Sequence, residues 1–413
     1  MHILLLELKR VIKSRMTLVL LTVAVALSAF ISFEVISEAK YIYVNGNGRQ
    51  ASITGMAAIR ANKKRMKPLE GQITEEKLKE ALVTFQNFYR LSQKHPDDPT
   101  FSARFDEKIA PLDYFLDMIN QVYPGGEDEY ESLNKIDPNC LTGFYHQRTE
   151  TLKTKLGIKY PGNQNILSKV SKLNREVTTP FILVEGYMAD NTVNLCILIF
   201  LLVLICAMTV SPIFSAEYQN GSDDVLRCTK NGRVKLAIVK SVSALLIVLA
   251  MFAVCTLIFV LSVNSAYGWD SLRTSVQVIS ALSFVPLTIG QEQCLTVLAG
   301  LLTLLAAACF VLFVSAKCQH PTTALIIAVA FCILPAILHS VWHGNISNFV
   351  TCVLPTGGAG ISNSFFSQLN LTTFVHIGSF DIWSPYLIIA ATIIEIPLFF
   401  LLSLHAYCRH QAT

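Results

Sequence analysis

Two histidines in this sequence have the spacing of metal ligands. His339 and His343 are four residues apart, so on a helix they would share one face, as pairs of zinc ligands do. A zinc site also needs a third ligand, and no acidic or thiol side chain accompanies them at a suitable spacing. With Trp342 between them, they fit better as an aromatic and imidazole cluster at a membrane edge. The sequence therefore predicts no metal site.

Motifs of the common catalytic sites are missing. The G-x-x-x-x-G-K-[ST] loop that holds ATP phosphates is absent, as are G-x-S-x-G, H-E-x-x-H and Cys-x-x-Cys. No acid, base and nucleophile stand together at a recognisable spacing. We therefore predict no catalytic residues and no cofactor on this chain, and the protein is not expected to be an enzyme by itself.

One carboxylate lies where charge is costly. Glu395 is midway along the last apolar run and is followed by Pro397. A charged side chain at the centre of a membrane helix costs about 2.5 to 3.5 kcal/mol on insertion scales, so this side chain is expected to face protein or a wet cavity. It is either a functional group or a protonated carboxyl bonded to a neighbouring helix, and the sequence leaves both interpretations open.

The most informative segment for function is the loop 214–239. It mixes both charge signs, and its glycines stand where a helix would end and restart; the residues that matter below are Phe214, Glu217, Gly221, Arg227, Gly232, Arg233 and Lys235. A plain connector between two membrane helices would be shorter. We interpret the loop as a docking helix and turn offered to a cytoplasmic partner.

The elements that carry these residues are membrane helices. Apolar residues make up 52% of the 413, and only 15% are charged, against about 25% in soluble proteins. Six apolar runs are long enough to span a bilayer: 16–36, 191–213, 240–263, 293–315, 321–342 and 385–407. The first is too long for a signal peptide core and is read as a retained helix. The predicted fold is an all-α membrane protein with six transmembrane helices.

Basic residues in the short loops predict the orientation. Lysine and arginine mark cytoplasmic loops, and they cluster before the first run and between the second and third; those between are Arg227, Lys230, Arg233 and Lys235. Segment 344–384 has no lysine or arginine and reads as short outer-face or re-entrant helices. Both termini are thus predicted to be cytoplasmic, in the plasma membrane.

The polar segment 38–190 is predicted to be a mainly helical extracellular domain, inserted between residues 1–37 and the membrane helices of 191–413. It holds 41 of the 62 charged residues, almost evenly split by sign, so no basic face for nucleic acid stands out. Its single cysteine, Cys140, excludes an internal disulfide framework. Helices are expected from Thr74 to Gln93, after Pro111, and over 144–156 and 166–177.

The loop and its surroundings resemble membrane subunits of ABC transporters of the ABC-2 type. In such subunits the loop between helices 2 and 3 reads F-x-x-E, a Gly, then GR and a lysine, matched here by Phe214, Glu217, Gly221, Gly232, Arg233 and Lys240. Tyr267-Gly268, Pro286 to Gln291 and Leu354-Pro355 also look similar to members with a large outer domain. The resemblance covers about 260 residues, and the polar segment matches only through Thr179-Pro180-Phe181.

The resemblance implies a division of labour. Two membrane subunits, identical or paralogous, would pair in the lipid and receive P-loop ATPase subunits, which would carry ATP and Mg²⁺. Residues 1–15 would be an amphipathic helix at the inner interface, with Leu4, Leu5, Leu8, Val11 and Ile12 towards lipid. The ATPase-coupling residues would be Glu217, Gly221, Arg227, Gly232 and Arg233.

Two functions remain open at this stage. The chain is either the permease of an exporter of amphipathic cargo, such as a peptide or antimicrobial, or a non-transporting subunit. In the second case it would transmit the motion of the ATPase to its outer domain and act on an envelope partner. Export is the preferred prediction.

Overall fold

The structure is a computed structural model that describes residues 2–45, 50–94, 101–126, 128–187, 189–228, 232–360 and 363–410. Its helices are α1 His2–Ile12, α2 Arg15–Ser37, α3 Gly55–Met66, α4 Glu75–Lys94, α5 Phe101–Lys108, α6 Asp113–Val122, α7 Glu129–Lys135, α8 Phe144–Lys159, α9 Gln164–Arg175, α10 Ala189–Val210, α11 Pro212–Gln219, α12 Ser222–Arg227, α13 Val234–Tyr267, α14 Ile289–Lys317, α15 Pro321–Val341, α16 Asn345–Val353, α17 Phe365–Asn370 and α18 Ser384–Arg409.

The strands form three antiparallel pairs. They are β1 Lys40–Val44, β2 Gln50–Thr54, β3 Gly71–Gln72, β4 Ile182–Leu183, β5 Phe374–Ile377 and β6 Phe380–Trp383, paired β1 with β2, β3 with β4 and β5 with β6. Each pair is too small to make a layer of its own. The fold is therefore an all-α membrane protein, as predicted.

Six helices in the described residues are long and apolar enough to cross a membrane: α2, α10 with its continuation α11, α13, α14, α15 and α18. They confirm the six runs predicted from the sequence. The chain divides into two compact units. The membrane unit comprises Met1–Ser32, Thr192–Leu261 and Cys294–Thr413, and the polar unit comprises Phe33–Asn191 and Ser262–Gln293.

Within the membrane unit, α14 and α10 are the central helices. In the most apolar windows of these helices 67% and 61% of the residues are buried, against 22% for α15 and 28% for α2. Gly300 of α14 lets the two central helices approach, because a Cβ there would lie 2.8 Å from Ile199 Cδ1. Helices α2 and α13 also come close together, since the hydroxyl of Ser28 on α2 donates to the carbonyl of Cys255 on α13 over 2.6 Å. Small residues thus set the closest helix contacts.

Segment 344–384, predicted to form short helices, contains α16, α17 and the β5–β6 hairpin. In the hairpin, His376 Nδ1 lies 2.8 Å from Asp381 Oδ1, and the Asn345 side chain bonds both backbone groups of His376. Gly358 lies between Thr303 and Ile388, within 3 Å of both for a Cβ, which ties the segment to α14 and α18. Its placement at the outer face of the membrane stays a prediction.

The polar unit has a core built by the predicted helices. The apolar faces of α4 and α6 meet there, with Leu78, Leu82 and Phe85 fully buried. Thr74 caps α4 as predicted, since its hydroxyl accepts from the amide of Lys77 over 3.3 Å. The hairpin β1–β2 and helices α3, α5 and α7 were not predicted.

The polar unit also includes residues outside the polar segment of the sequence. The loop between α13 and α14 supplies Val278 and Ala281 to its core. Arg148, 2% exposed, holds that loop: its guanidinium donates to the carbonyls of Ala281 and Ser283, each over 2.5 Å, and to Asn174 Oδ1 over 2.7 Å. Burial lowers the pKa of Arg148 to about 10, so the side chain stays charged at neutral pH.

Candidate functional site

The second spanning helix breaks shortly before its end, where α11 begins at Pro212. Proline has no N–H to continue the helical ladder. The hydroxyl of Ser315, on α14, donates to the carbonyl of Ser211 over 2.6 Å and accepts from the amides of Phe214 and Ser215 over 3.1 and 3.3 Å. The carbonyl of Met208, which an N–H at position 212 would bond, accepts instead from the Ser211 hydroxyl over 3.4 Å. The hydroxyl of Ser315, with those of Ser211 and Ser215, therefore holds the break.

Four charged side chains from three helices meet at the far end of α11. Glu217 of α11 binds Arg10 of α1 and Lys240 of α13. Arg10 Nη2 also lies 2.6 Å from Glu7 Oε1, and Lys240 Nζ lies 3.7 Å from the same oxygen. Each carboxylate thus faces both cations, and we call these four residues the ion cluster.

The ion cluster is neutral in sum and largely hidden from solvent. Lys240 is 1% exposed, Glu217 6% and Glu7 8%, whereas nearly half of the Arg10 side chain is accessible. An ion pair at this depth adds little net stability, but removal of one partner leaves an uncompensated charge, at a cost of about 3–5 kcal/mol. The arrangement therefore fixes α1, α11 and α13 to one another.

Aromatic side chains also contact α11. The ring of Phe214 lies 5.0 Å from that of Tyr407, and Tyr218 stacks on His410 at 3.9 Å. Tyr407 lies in the last turn of α18, and His410 directly follows that helix. With Ser315 and the ion cluster, these contacts tie α11 to α1, α13, α14 and α18.

The chain turns sharply after α11. Gly221 has φ +65°, a left-handed conformation that favours glycine, and opens the short helix α12. Residues 229–231 lie outside the described chain. It resumes at Gly232, which is buried, and Arg233, which is exposed immediately before α13. Lys235 is exposed as well.

The five predicted coupling residues lie in different settings. Only Glu217 belongs to the ion cluster, and its carboxylate is engaged within the chain. Gly221 and Arg233 are exposed, and Gly232 is buried beside α13. The backbone of Arg227 ends α12, but its side chain lies outside the described atoms. A coupling role for these residues stays a prediction.

Sequence reasoning missed Glu7, and three of the five residues of α1 that it expected to face lipid lie on the side of the helix that contacts the protein. Leu4 and Leu8 are half-buried and Val11 is 8% exposed, on the same side as Glu7, so these residues face the protein rather than lipid. Leu5 and Ile12 are exposed, as predicted. The signal for this was an acidic residue three positions before Arg10, inside an apolar stretch.

The remaining chemical candidates lie apart from the ion cluster in sequence. Glu395, on α18, is 7% exposed, and its Oε2 accepts no hydrogen bond from the described residues. His343 lies beyond the end of α15 at Val341, so it does not share a helix face with His339. Groups of three or more His, Cys, Asp or Glu that could hold a metal ion do not occur in the part of the chain that the structure describes.

Comparison with known proteins gives the family. No curated protein matches the chain. The sequence model of the family described as "ABC-2 family transporter protein" matches residues 1–403, which is nearly the whole chain and includes both units. The chain therefore belongs to the ABC-2 family of transporter membrane proteins.

Proposed function

We propose that this chain is the permease subunit of an ATP-driven exporter, and that α11 and the loop after it receive the force of the ATPase. The observation that carries this proposal is the ion cluster. It joins the helix before the loop, the helix after the loop and the N-terminal helix by buried charges. A push on this loop would therefore move three helices together.

In this proposal the five coupling residues have distinct tasks. Arg233 and Arg227 would contact the ATPase through charge-assisted hydrogen bonds. Glu217, whose carboxylate is already paired, would position α11 rather than touch the partner. Gly221 would allow the turn into α12, since its φ of +65° is strained for other residues. ATP and Mg²⁺ would be bound by the ATPase chain.

The proposed orientation places both termini in the cytoplasm and residues 38–190 outside the cell. It is supported by the basic residues on either side of the ion cluster, including Lys9, Lys13, Arg233 and Lys235, which are all exposed. The cytoplasmic side of the plasma membrane is also the side on which ATP is available to an ATPase. We propose export of an amphipathic cargo, such as a peptide or antimicrobial, because the outer domain could receive or shield it. A second permease subunit would complete the pathway.

One observation favours the alternative, a subunit that transmits motion without transport. Helix α13 is continuous over 34 residues, or about 50 Å at 1.5 Å per residue. It carries Lys240 near its start, and at its end the hydroxyl of Tyr267 donates to the carbonyl of Val35 over 3.0 Å. A displacement of Lys240 would therefore be passed along α13 to Tyr267 at the other end of the same helix.

The test is affinity purification of the tagged chain from its native membrane in mild detergent, with quantification of co-purifying P-loop ATPase. Arg233→Glu should lower the ATPase yield at least fivefold at equal recovery of the tagged chain. Arg273→Glu is the matched control, because it also reverses an exposed arginine but lies on the loop proposed to face outside. Equal ATPase recovery with both variants, or none with wild type, would overturn the coupling site.

A further inference from the structure

A cavity in the polar unit is lined almost entirely by aromatic rings. It has a volume of about 270 Å³, and its walls are Phe85, Phe88, Tyr89, Ser92, Phe101, Phe105 and Tyr130. Helices α4, α5 and α7 supply these residues. The hydroxyl of Ser92 is already used, since it donates to the carbonyl of Tyr89 over 2.7 Å. The cavity therefore offers ring faces and edges to an occupant.

The rings form one continuous arc. Successive centroids are 4.8 to 5.9 Å apart, in the order Tyr89, Phe85, Tyr130, Phe105, Phe88, Phe101. These spacings lie in the range of favourable aromatic pairs. Phe85 is 1% exposed and anchors the arc in the core, whereas Tyr130 is 48% exposed and stands at the opening. In the described residues the arc is therefore packed against the core at Phe85 and accessible to solvent at Tyr130.

The volume limits the size of what can enter. A buried apolar cavity of about 150 Å³ takes a benzene molecule, and sites for drug-sized ligands begin at about 300 Å³. A cavity of 270 Å³ therefore suits a single large aromatic side chain, such as an indole, rather than a drug-sized molecule.

Carboxylates act on the Tyr130 phenol, and a nearby cation, Lys135, is already paired with Glu131 over 2.6 Å. The charges that raise the pKa of the Tyr130 phenol, besides its burial, are carboxylates: Asp113, Glu129, Asp117 and Asp128. Asp117 itself has its pKa raised to about 6, by burial and by the neighbouring Glu129. Such a crowded set of carboxylates is relieved by a cation. A cation beside ring faces gains a further attraction from the aromatic quadrupole.

We propose that this cavity binds one large aromatic side chain of a cationic peptide, with the flanking basic residues held by the carboxylates around Tyr130. The inference deepens the proposed function and rests on it in one respect, because it assumes that the polar unit faces the side on which such peptides occur. Recognition itself needs no ATPase. The aromatic arc supplies the apolar contact and the carboxylates supply the preference for positive charge.

Calorimetric titration of the purified full chain, in detergent and without ATPase, tests the binding. Three pentapeptide amides serve as probes: tryptophan flanked by two lysines on each side, alanine in the same frame, and tryptophan flanked by glutamates. The lysine-flanked tryptophan peptide should bind at least tenfold more tightly than either of the others. Ser92→Phe, which fills the cavity, should weaken its binding at least tenfold.

Leu91→Phe is the matched control, since Leu91 is the next residue on α4, is 52% exposed and does not line the cavity. Tyr130→Ala removes an exposed wall residue and should also weaken binding, with unfolding temperatures checking that each variant is folded. Binding of the tryptophan peptide that is the same in Ser92→Phe and wild type would overturn the proposal. So would binding of dodecanoate, but not of the peptide, in a Ser92-dependent manner, which would identify an acyl-chain site.

The outcome separates this proposal from the function on which it rests. Peptide binding can fail while the ATPase still co-purifies with the wild-type chain, which would leave the coupling site in place. Conversely, loss of the ATPase in purification has no bearing on a titration that contains none.

Discussion

Glu217 and Lys240 form a buried ion pair although they lie on either side of the loop 220–233. Glu217 lies in the last turn of the short helix before the loop, and Lys240 lies in the second turn of the long helix after it. Arg10 and Glu7 add a third helix to the same contact. The pair joins the helices on either side of the loop, so we expect α11 and α13 to move together.

The first prediction concerns the stability of this closure. Lys240→Met should lower the free energy of unfolding by about 3–5 kcal/mol, because it leaves a net negative charge buried in the ion cluster. Lys240→Met with Glu217→Gln restores neutrality and should recover a large part of the loss. Thermal unfolding in detergent measures both. Lys235→Met is the control, since Lys235 is exposed on the same helix. Equal unfolding temperatures for Lys240→Met and this control would contradict the account.

The second prediction concerns the break before α11. Ser315→Ala should destabilise the membrane unit by about 1–3 kcal/mol, because two buried amides lose their acceptor and a carbonyl loses a donor. Ser403→Ala is the matched control: Ser403 is also buried in a spanning helix, but its hydroxyl bonds only a carbonyl of its own helix, that of Phe400. The comparison is again by thermal unfolding, and a larger effect at Ser403 would count against the role of Ser315.

A third prediction follows from Glu185 in the polar unit. Burial, with the nearby Glu70, raises the pKa of Glu185 from 4.5 to about 7. A raised carboxyl pKa stabilises the folded state at low pH, and that contribution is lost as pH rises from about 4.5 through 7. Glu185→Gln should therefore increase the free energy of unfolding at pH 8 by up to about 3 kcal/mol, which raises the unfolding temperature. It should have little effect near pH 4.5.

Unfolding temperatures of wild type and Glu185→Gln across pH 4.5 to 8 measure this effect. Glu176→Gln replaces an exposed carboxylate of the same unit and serves as the control. A gain that is the same at both ends of the pH range would contradict the linkage.

The fourth prediction uses native cysteines to test the orientation. Cys140 in the polar unit and Cys228 after α12 are both exposed. A membrane-impermeant maleimide added to intact cells should label Cys140 and leave Cys228 unmodified until the cells are opened. Cys140→Ser and Cys228→Ser assign the signals. Labelling of Cys228 in intact cells would reverse the proposed topology.

Much of the fold could be predicted from the sequence, for a simple reason. Length and apolarity determine whether a helix can span a membrane, and they are local properties, so all six runs reappear as helices. The face of α4 was equally readable, because Leu78, Leu82 and Phe85 recur at helical spacing. The attachment of the loop 262–293 to the polar unit was not readable, since it depends on Arg148 meeting two carbonyls over 130 residues away.

The candidate site was predictable only in part. Glu217 stood out because it matches the F-x-x-E of ABC-2 loops and was expected to contact the ATPase. Its partners within the chain lie 207 positions before it and 23 after it. Periodicity identified the amphipathic character of α1 without showing which face meets the protein. Glu7, placed among leucines, indicates that face once the ion cluster is known.

The central claim is that the loop after α11 meets an ATPase, and photo-crosslinking from Cys228 tests it most directly. A membrane-permeable benzophenone maleimide attached to the wild-type complex in native membranes should, on illumination, join a P-loop ATPase to the chain through Cys228. Cys228→Ser should abolish that product, and Cys140→Ser should not. An ATPase crosslink that persists in Cys228→Ser and disappears in Cys140→Ser would contradict the account, because the partner would then sit on the polar unit.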